Sequence, residues 1–131
     1  VYNTTTPVGI ARAAAAAVLR GQQDHVADCV AELERRRDAL VTALAGWPVV
    51  SAGGGWSLLL DVAELGLDAP SASRLLLEES AIAATAMTGW GGPVADRHVR
   101  FVFSAEPVER IETFPDRLAR GTLAAALGER G

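Results

Sequence analysis

Residues 98–103 constrain the fold most, because they form an apolar, alternating segment that contains a single arginine. Alternate side chains of a strand point to opposite faces. Phe101 and Phe103 therefore share one face, which we expect to pack on helices, while Arg100 points to the other. A guanidinium stays charged and presents a planar fork of donors, so it needs water or an anion of matching geometry. The segment predicts a strand between a core and a cleft or partner.

The remaining patterns predict the element order α-α-β-β-α-β-β-α. The predicted helices cover 8–19, 24–45, 71–79 and 107–118, and the predicted strands cover 49–51, 56–62, 81–85 and 98–103. Thr6-Pro7 is a favourable start for the first helix, Gly21 ends or bends it, and its alanines predict burial in an interface. The second strand is expected to be buried on both faces, and the last helix is expected to fray into residues 124–131. This order predicts one α+β domain over 1–131, a two-layer small domain in which helices cover a three- to four-stranded sheet.

Charge and composition exclude several classes of partner. The formal net charge of −4 gives no overall basic field, so nucleic acids and anionic membranes are not expected ligands. No apolar run approaches the roughly 18 residues of a membrane span. The only cysteine, Cys29, excludes an intrachain disulfide and fits a reducing compartment, so we expect a cytoplasmic protein.

All 12 basic residues are arginine, and the chain contains no lysine. This composition excludes a phosphate-loop lysine, a lysine general base and a Schiff base formed by this chain alone. The chain begins with Val1 rather than Met, so we expect a segment of a longer polypeptide or a processed chain.

Three motifs that carry chemistry in other proteins have simpler interpretations here. The glycines at 53–55 lie between two predicted strands and have no helix after them, so they indicate a hairpin turn rather than a phosphate loop. Ser57 lacks the flanking pattern of a nucleophile elbow and is expected to be a strand residue. His25, Cys29 and His98 are too few and too dispersed for a metal site, and Cys29 is expected to be a buried thiol.

Two residues remain as candidates for a binding site, Trp90 and Arg100. Trp90 is central to a glycine-rich loop over 87–93, where an aromatic ring has few local neighbours and either packs on another domain or lines a pocket. For Arg100 the residues alone favour a structural ion pair, with Asp61 as the partner, over a ligand anion. The sequence pattern alone therefore decides neither the environment of Trp90 nor the partner of Arg100.

The order of several short motifs resembles the C-terminal part of class I/II aminotransferases, the pyridoxal-phosphate-dependent family of fold type I. Each motif is short, but their order and spacing extend over nearly the whole chain. The matching motifs are YNTTTP at 2–7, ERRRDAL at 34–40, GGGW at 53–56, LDV at 60–62, ELG at 64–66, LLEE at 76–79, MTGWG at 87–91 and VRFVFS at 99–104 ahead of EP at 106–107.

This resemblance implies a role for each candidate residue. In the family, an arginine at the strand position that matches Arg100 binds the α-carboxylate of the amino-acid substrate. The loop of Trp90 would border the substrate side chain, and residues 2–6 would lie at a homodimer interface. The substrates would be an amino acid and a 2-oxo acid, and the small domain would close over them.

The same resemblance assigns the catalytic groups to a part of the protein outside this chain. The lysine and the aspartate that hold pyridoxal phosphate belong to the family's large domain. We therefore expect no catalytic, cofactor-binding or metal-binding residue here, and no activity from this chain alone. Two alternatives remain: a non-catalytic α+β binding or assembly module, and a fold type I enzyme of another reaction class, such as a lyase or synthase.

Overall fold

The computed structural model of the protein describes residues 8–50 and 52–128. The predicted helix start at Thr6-Pro7 and the predicted interface segment 2–6 lie outside these residues. Internal contacts divide the chain into two compact units, Val1–Glu32 and Leu33–Gly131.

The first unit contains a helix of mostly small residues, α1 (Gly9–Arg20). It ends at Gly21 as predicted, where the Gly21 N–H donates to the carbonyls of Ala17 and Val18 at 3.0 and 3.1 Å. None of the helix residues is buried by the described part of the chain. The expected burial of α1 in an interface therefore stays a prediction.

The next helix, α2 (Asp24–Ala43), begins where its sequence pattern predicts. Its second half contributes to the core of the second unit: Leu40 is 3% exposed, and Leu44, just beyond the helix end, is 1% exposed. Cys29 is exposed, so the predicted burial of this thiol is wrong. It lies in the part of the helix that belongs to the first unit, where the described residues bury no side chain of α2.

The second unit is built on a four-stranded antiparallel sheet with the strand order β1-β2-β4-β3. Its strands are β1 (Val49–Val50), β2 (Ser57–Asp61), β3 (Thr85–Ala86) and β4 (His98–Val102). The two central strands, β2 and β4, are paired from Ser57 opposite Val102 to Asp61 opposite His98. The predicted α+β class and the upper limit of the predicted strand number are confirmed.

Helices cover one face of this sheet. They include α3 (Ala69–Ser80), α4 (Val108–Ile111), α5 (Phe114–Leu118) and α6 (Thr122–Gly128), and short 3-10 helices lie at Val62–Leu65 and Ala95–Arg97. Phe101 is 3% exposed, and its ring meets that of Phe114 edge to face with centroids 5.3 Å apart. Phe103 is 2% exposed. The predicted packing of the aromatic face of β4 on helices is therefore confirmed.

Two strands differ from their predictions. β2 is buried on one face, at Leu58 and Leu60, and half-buried on the other, because the described helices of the second unit cover only the first face. β3 begins at Thr85 rather than at Ala81. The reason is that Ala81 has φ +52° and ends α3, so the residues after it do not continue directly into a strand.

The predicted closing helix over 107–118 consists of two short helices, and the predicted frayed end contains a third. Pro115 has no N–H to donate to the carbonyl four residues earlier, so the helix breaks and α5 begins anew. Glu79 of α3 accepts hydrogen bonds from the N–H and the hydroxyl of Thr122 at 2.6 and 2.9 Å, which caps α6. Leu123 of α6 is 1% exposed. Glu79, which is distant in sequence, thus orders a segment for which the local pattern predicts fraying.

Candidate functional site

Arg100 lies at the middle of β4, on the face of the sheet opposite the aromatic core. It pairs with Leu59 of β2 on one side and with Thr85 of β3 on the other. Directly paired residues point to the same face of a sheet, so these three side chains form one row. The predicted division of β4 into two faces is confirmed, although His98, on the same face as Arg100, is only 8% exposed.

The carboxylate that the sequence suggested as a partner for Arg100 pairs with another arginine. Asp61 accepts from Nη2 of Arg97 at 2.6 Å and from its Nε at 3.4 Å. The register explains this choice, since Asp61 lies opposite His98 and is thus two residues, about 6–7 Å, along the strand from the level of Arg100. The predicted ion pair between Asp61 and Arg100 is therefore wrong.

The Nε atom of Arg100 is buried and has no hydrogen-bond partner among the described residues. Buried donors are nearly always paired, because leaving one unpaired costs roughly 1–3 kcal/mol. The residue as a whole is only half-buried and borders an open groove. Because Nε itself is buried, an acceptor in the groove would pair with it only after the guanidinium shifts toward the groove.

Trp90 and Arg100, the two candidates from the sequence, lie in contact. The guanidinium carbon of Arg100 is 4.8 Å from the centre of the indole ring, which is a cation–π geometry. Trp90 is 62% exposed, so the ring covers one side of the cation without being buried itself. Such contacts contribute about 0.5–1 kcal/mol at exposed sites, which is enough to bias the orientation of the guanidinium.

The glycine-rich loop before β4 brings Trp90 to this position through its backbone. Gly89 has φ +81°, a conformation that side chains disfavour, and the Trp90 N–H donates to the carbonyl of Met87 at 3.0 Å. The Gly89 N–H donates to Oδ1 of Asp96 at 3.3 Å. Just after the loop, Nδ1 of His98 donates to the carbonyl of Val94 at 2.8 Å. Sequence reasoning missed the roles of Asp96 and His98, because both depend on how the loop folds back on itself.

An open groove of about 370 Å³ adjoins Arg100 on this face of the sheet. Its lining includes Val50 of β1, Leu59 of β2 and Met87 of the loop after β3, and Arg100 is the only charged residue among the described lining residues. A cation beside an apolar groove suits an anion with an apolar body. Sequence reasoning missed Val50 and Met87, because only strand register and loop path bring them beside Arg100.

The other motifs have structural positions. Residues 53–55 lie between the antiparallel strands β1 and β2. Ser57 is a strand residue, as predicted, although β2 begins there rather than at Trp56. Within residues 8–50 and 52–128, no group of three or more His, Cys, Asp or Glu side chains could hold a metal ion. No helix in the same ranges is both long and apolar enough to cross a bilayer.

Comparison with known proteins assigns the chain to a family. The family model described as aminotransferase class I and II matches residues 2–118. The chain belongs to this family. The resemblance seen in its short motifs is therefore confirmed. A search of curated proteins found no match to this aminotransferase chain.

Solved aminotransferase structures share the fold. An aromatic aminotransferase from Pyrococcus horikoshii is 28% identical and has a TM-score of 0.74, covering 98% of this chain and 34% of that protein. The N-succinyldiaminopimelate aminotransferase from Mycobacterium tuberculosis is 29% identical, with a TM-score of 0.67 over 81% of this chain and 29% of that protein. A PLP-bound putative aminotransferase from Clostridium difficile, 16% identical, shows the fold alone, with a TM-score of 0.64 over 80% of this chain and 26% of that protein. This aminotransferase chain thus spans about a third of the length of its solved relatives.

Proposed function

We propose that this chain is the small domain of a pyridoxal-phosphate-dependent aminotransferase, in which Arg100 binds the α-carboxylate of the substrate. The complete enzyme would exchange an amino group between an amino acid and a 2-oxo acid, as a homodimer. The observation that carries the proposal is the guanidinium of Arg100, which borders an open groove and has a buried Nε without a hydrogen-bond partner among the described residues.

A carboxylate matches what Arg100 lacks. Two carboxylate oxygens accept two parallel N–H bonds from a guanidinium, which neutralises the charge and fixes the plane of the ligand at the same time. Trp90 covers one side of the guanidinium, at 4.8 Å from its central carbon, so the anion would approach from a side that the indole leaves uncovered. A ligand held in this way presents its Cα in a defined orientation, and orientation is a large part of the rate enhancement that a binding residue can supply.

The chain's own residues do not fit the anchoring of the cofactor that the family implies. Pyridoxal phosphate is an aldehyde that enzymes hold through a lysine amine, and this chain contains no lysine. The anchoring group and the proton-transfer chemistry would therefore belong to other parts of the enzyme. On this proposal the present chain contributes substrate binding and orientation, and alone it is expected to be inactive.

The proposal predicts that Arg100→Ala in the complete, cofactor-loaded enzyme lowers kcat/KM for the amino acid by about 100-fold or more. Loss of two charge-assisted hydrogen bonds at roughly 1.5–3 kcal/mol each gives at least this factor. Arg100→Lys restores only part of the activity, because an ammonium cannot form the planar, bidentate pair. Steady-state kinetics measure the effect, and absorbance of the bound cofactor should be the same in all variants.

Arg110→Ala is the matched control, because Arg110 is an exposed arginine of α4 whose Nε lies 3.2 Å from Glu106 on the helical side of the second unit. Its kcat/KM should stay within about twofold of the unchanged enzyme, as is usual for exposed ion pairs. If Arg100→Ala behaved like Arg110→Ala, Arg100 would not be the carboxylate-binding residue, and a non-catalytic role for this domain would become the better explanation.

A further inference from the structure

We propose that the substrate carries an uncharged, apolar side chain, which lies in the groove beside Arg100. This inference rests on the proposed function, since it takes Arg100 as the carboxylate-binding residue. It adds the substrate class, which the family does not fix: the two relatives at 28% and 29% identity are named for an aromatic substrate and for N-succinyldiaminopimelate.

Strand register connects the apolar residues of the groove to Arg100. Val50 of β1 pairs with Leu59 of β2, and Leu59 pairs with Arg100 of β4. Paired residues share a face and neighbouring strands lie about 4.8 Å apart, so an apolar row extends roughly 10 Å from the arginine. Val50 is 46% exposed, so the far end of this row is open to a ligand.

Met87 continues the apolar surface on the other side of the groove. The Met87 N–H donates to the carbonyl of His98 at 3.0 Å, which holds this residue beside β4 just beyond the end of β3. The thioether side chain is flexible and polarisable, so it adapts to apolar groups of different shapes. Leu59 and Met87 are both half-buried, so their apolar atoms are partly accessible.

The charges around the groove disfavour a second carboxylate. Arg100 is the only charged residue among the described lining residues, and on this proposal its charge is already used by the α-carboxylate. Asp61 follows Leu59 on the same face of β2, and its own cationic partner is Arg97. Because Arg97 is already paired, a carboxylate on the substrate side chain would be partly desolvated in the groove without a free cation among the described lining residues.

Of the four substituents on the Cα of the substrate, the side chain is the one that we place in the groove. The carboxylate is bound by Arg100, and the amino nitrogen must reach a cofactor that this chain does not anchor. The hydrogen on Cα offers almost no surface for contact with the apolar lining of the groove. The side chain is the remaining substituent, and apolar contacts with Val50, Leu59 and Met87 would stabilise it at about 25 cal/mol per Å² of buried apolar surface.

The test measures binding of two 2-oxo acids to the complete, cofactor-loaded enzyme by isothermal titration calorimetry. The probes are 2-oxo-4-methylpentanoate, which has an apolar side chain, and 2-oxoglutarate, which has a second carboxylate. We expect the apolar probe to bind at least about tenfold more tightly. Val50→Lys should reverse this preference by adding a cation at the open end of the groove, and a lysine fits there because its head group can remain in water.

Leu77→Lys is the matched control, because Leu77 is 58% exposed on α3 and does not line the groove. It should leave the preference unchanged. If Val50→Lys did not fold, as judged by circular dichroism, Met87→Lys on the opposite border would replace it with the same expected reversal.

The outcomes separate this inference from the proposed function. If Arg100→Ala binds both probes as well as the unchanged enzyme does, the proposed function fails and the groove inference fails with it. If binding depends on Arg100 but 2-oxoglutarate binds equally or more tightly, only the groove inference is wrong. The same holds if Val50→Lys and Leu77→Lys have equal effects on the preference.

Discussion

The two faces of β4 differ in how far the chain itself satisfies their side chains. On one face Phe101 and Phe103 are 3% and 2% exposed, and helices supply their contacts. On the other face Arg100 is half-buried, is covered on one side by Trp90, and keeps a buried Nε without a partner among the described residues. An unmet requirement in an otherwise well-packed strand indicates a position selected for something other than stability.

A pair of neighbouring substitutions tests this contrast with the largest expected effect. Phe101→Ala should lower the free energy of unfolding by about 3–5 kcal/mol, because it removes a buried ring and leaves a cavity. Arg100→Met should change it by less than about 1 kcal/mol, since it removes an unpaired donor and keeps the aliphatic stem. Equilibrium unfolding in urea measures both, and equal losses would show that Arg100 is a structural residue.

Trp90→Leu tests whether the face of β4 that carries Arg100 is organised for ligand binding. It should weaken binding of a 2-oxo acid by about two- to fivefold, which corresponds to the roughly 0.5–1 kcal/mol of an exposed cation–π contact. Trp56→Leu is the control, because Trp56 is 60% exposed and the cation–π contact of Arg100 is with Trp90. Equal effects of the two substitutions on the Kd would mean that the indole of Trp90 does not orient Arg100.

Double-mutant cycles test whether Asp61 pairs with Arg97 or with Arg100. Asp61→Asn combined with Arg97→Gln should give a coupling energy of about 0.2–1 kcal/mol, the range of ion pairs with an exposed member. The cycle of Asp61→Asn with Arg100→Gln should give a coupling near zero. Urea unfolding of the single and double variants provides both values, and a coupling confined to the Arg100 cycle would restore the structural ion pair that the sequence suggested.

The smallest expected effect concerns Asp68, which is the N-cap of α3 and belongs to neither face of β4. Hydrogen bonds from the N–H and the hydroxyl of Ser71, at 2.8 and 2.9 Å, lower the pKa of this carboxyl below its ordinary value. A lowered pKa in the folded state stabilises the fold above about pH 4, and this contribution is lost as the pH falls through the folded-state value. Asp68→Asn keeps a cap but does not titrate, so its unfolding free energy should fall less steeply below pH 4. Parallel pH titrations of stability compare the two proteins, and identical slopes would contradict the assignment.

Much of the fold could be predicted because local patterns specify it. The alternation over 98–103 was sufficient to assign Phe101 to the core and Arg100 to the opposite face. Ala81, Pro115 and the capping of α6 by Glu79 were harder, for different reasons. A left-handed alanine has no signature in composition. Pro115 divides a segment that the sequence pattern predicts as one helix. Glu79 acts on a residue 43 positions away.

The candidate site divides in the same way. Composition and order determined that the chain contains no lysine, that Arg100 needs water or an anion, and that its motifs follow the order of class I and II aminotransferases. The tertiary structure decided that Asp61 pairs with Arg97 rather than with Arg100. It also decided that Trp90 lies against Arg100 and that Val50 and Met87 line the groove beside it. These facts depend on strand register and loop path, which arise from contacts between distant residues, so no local pattern encodes them.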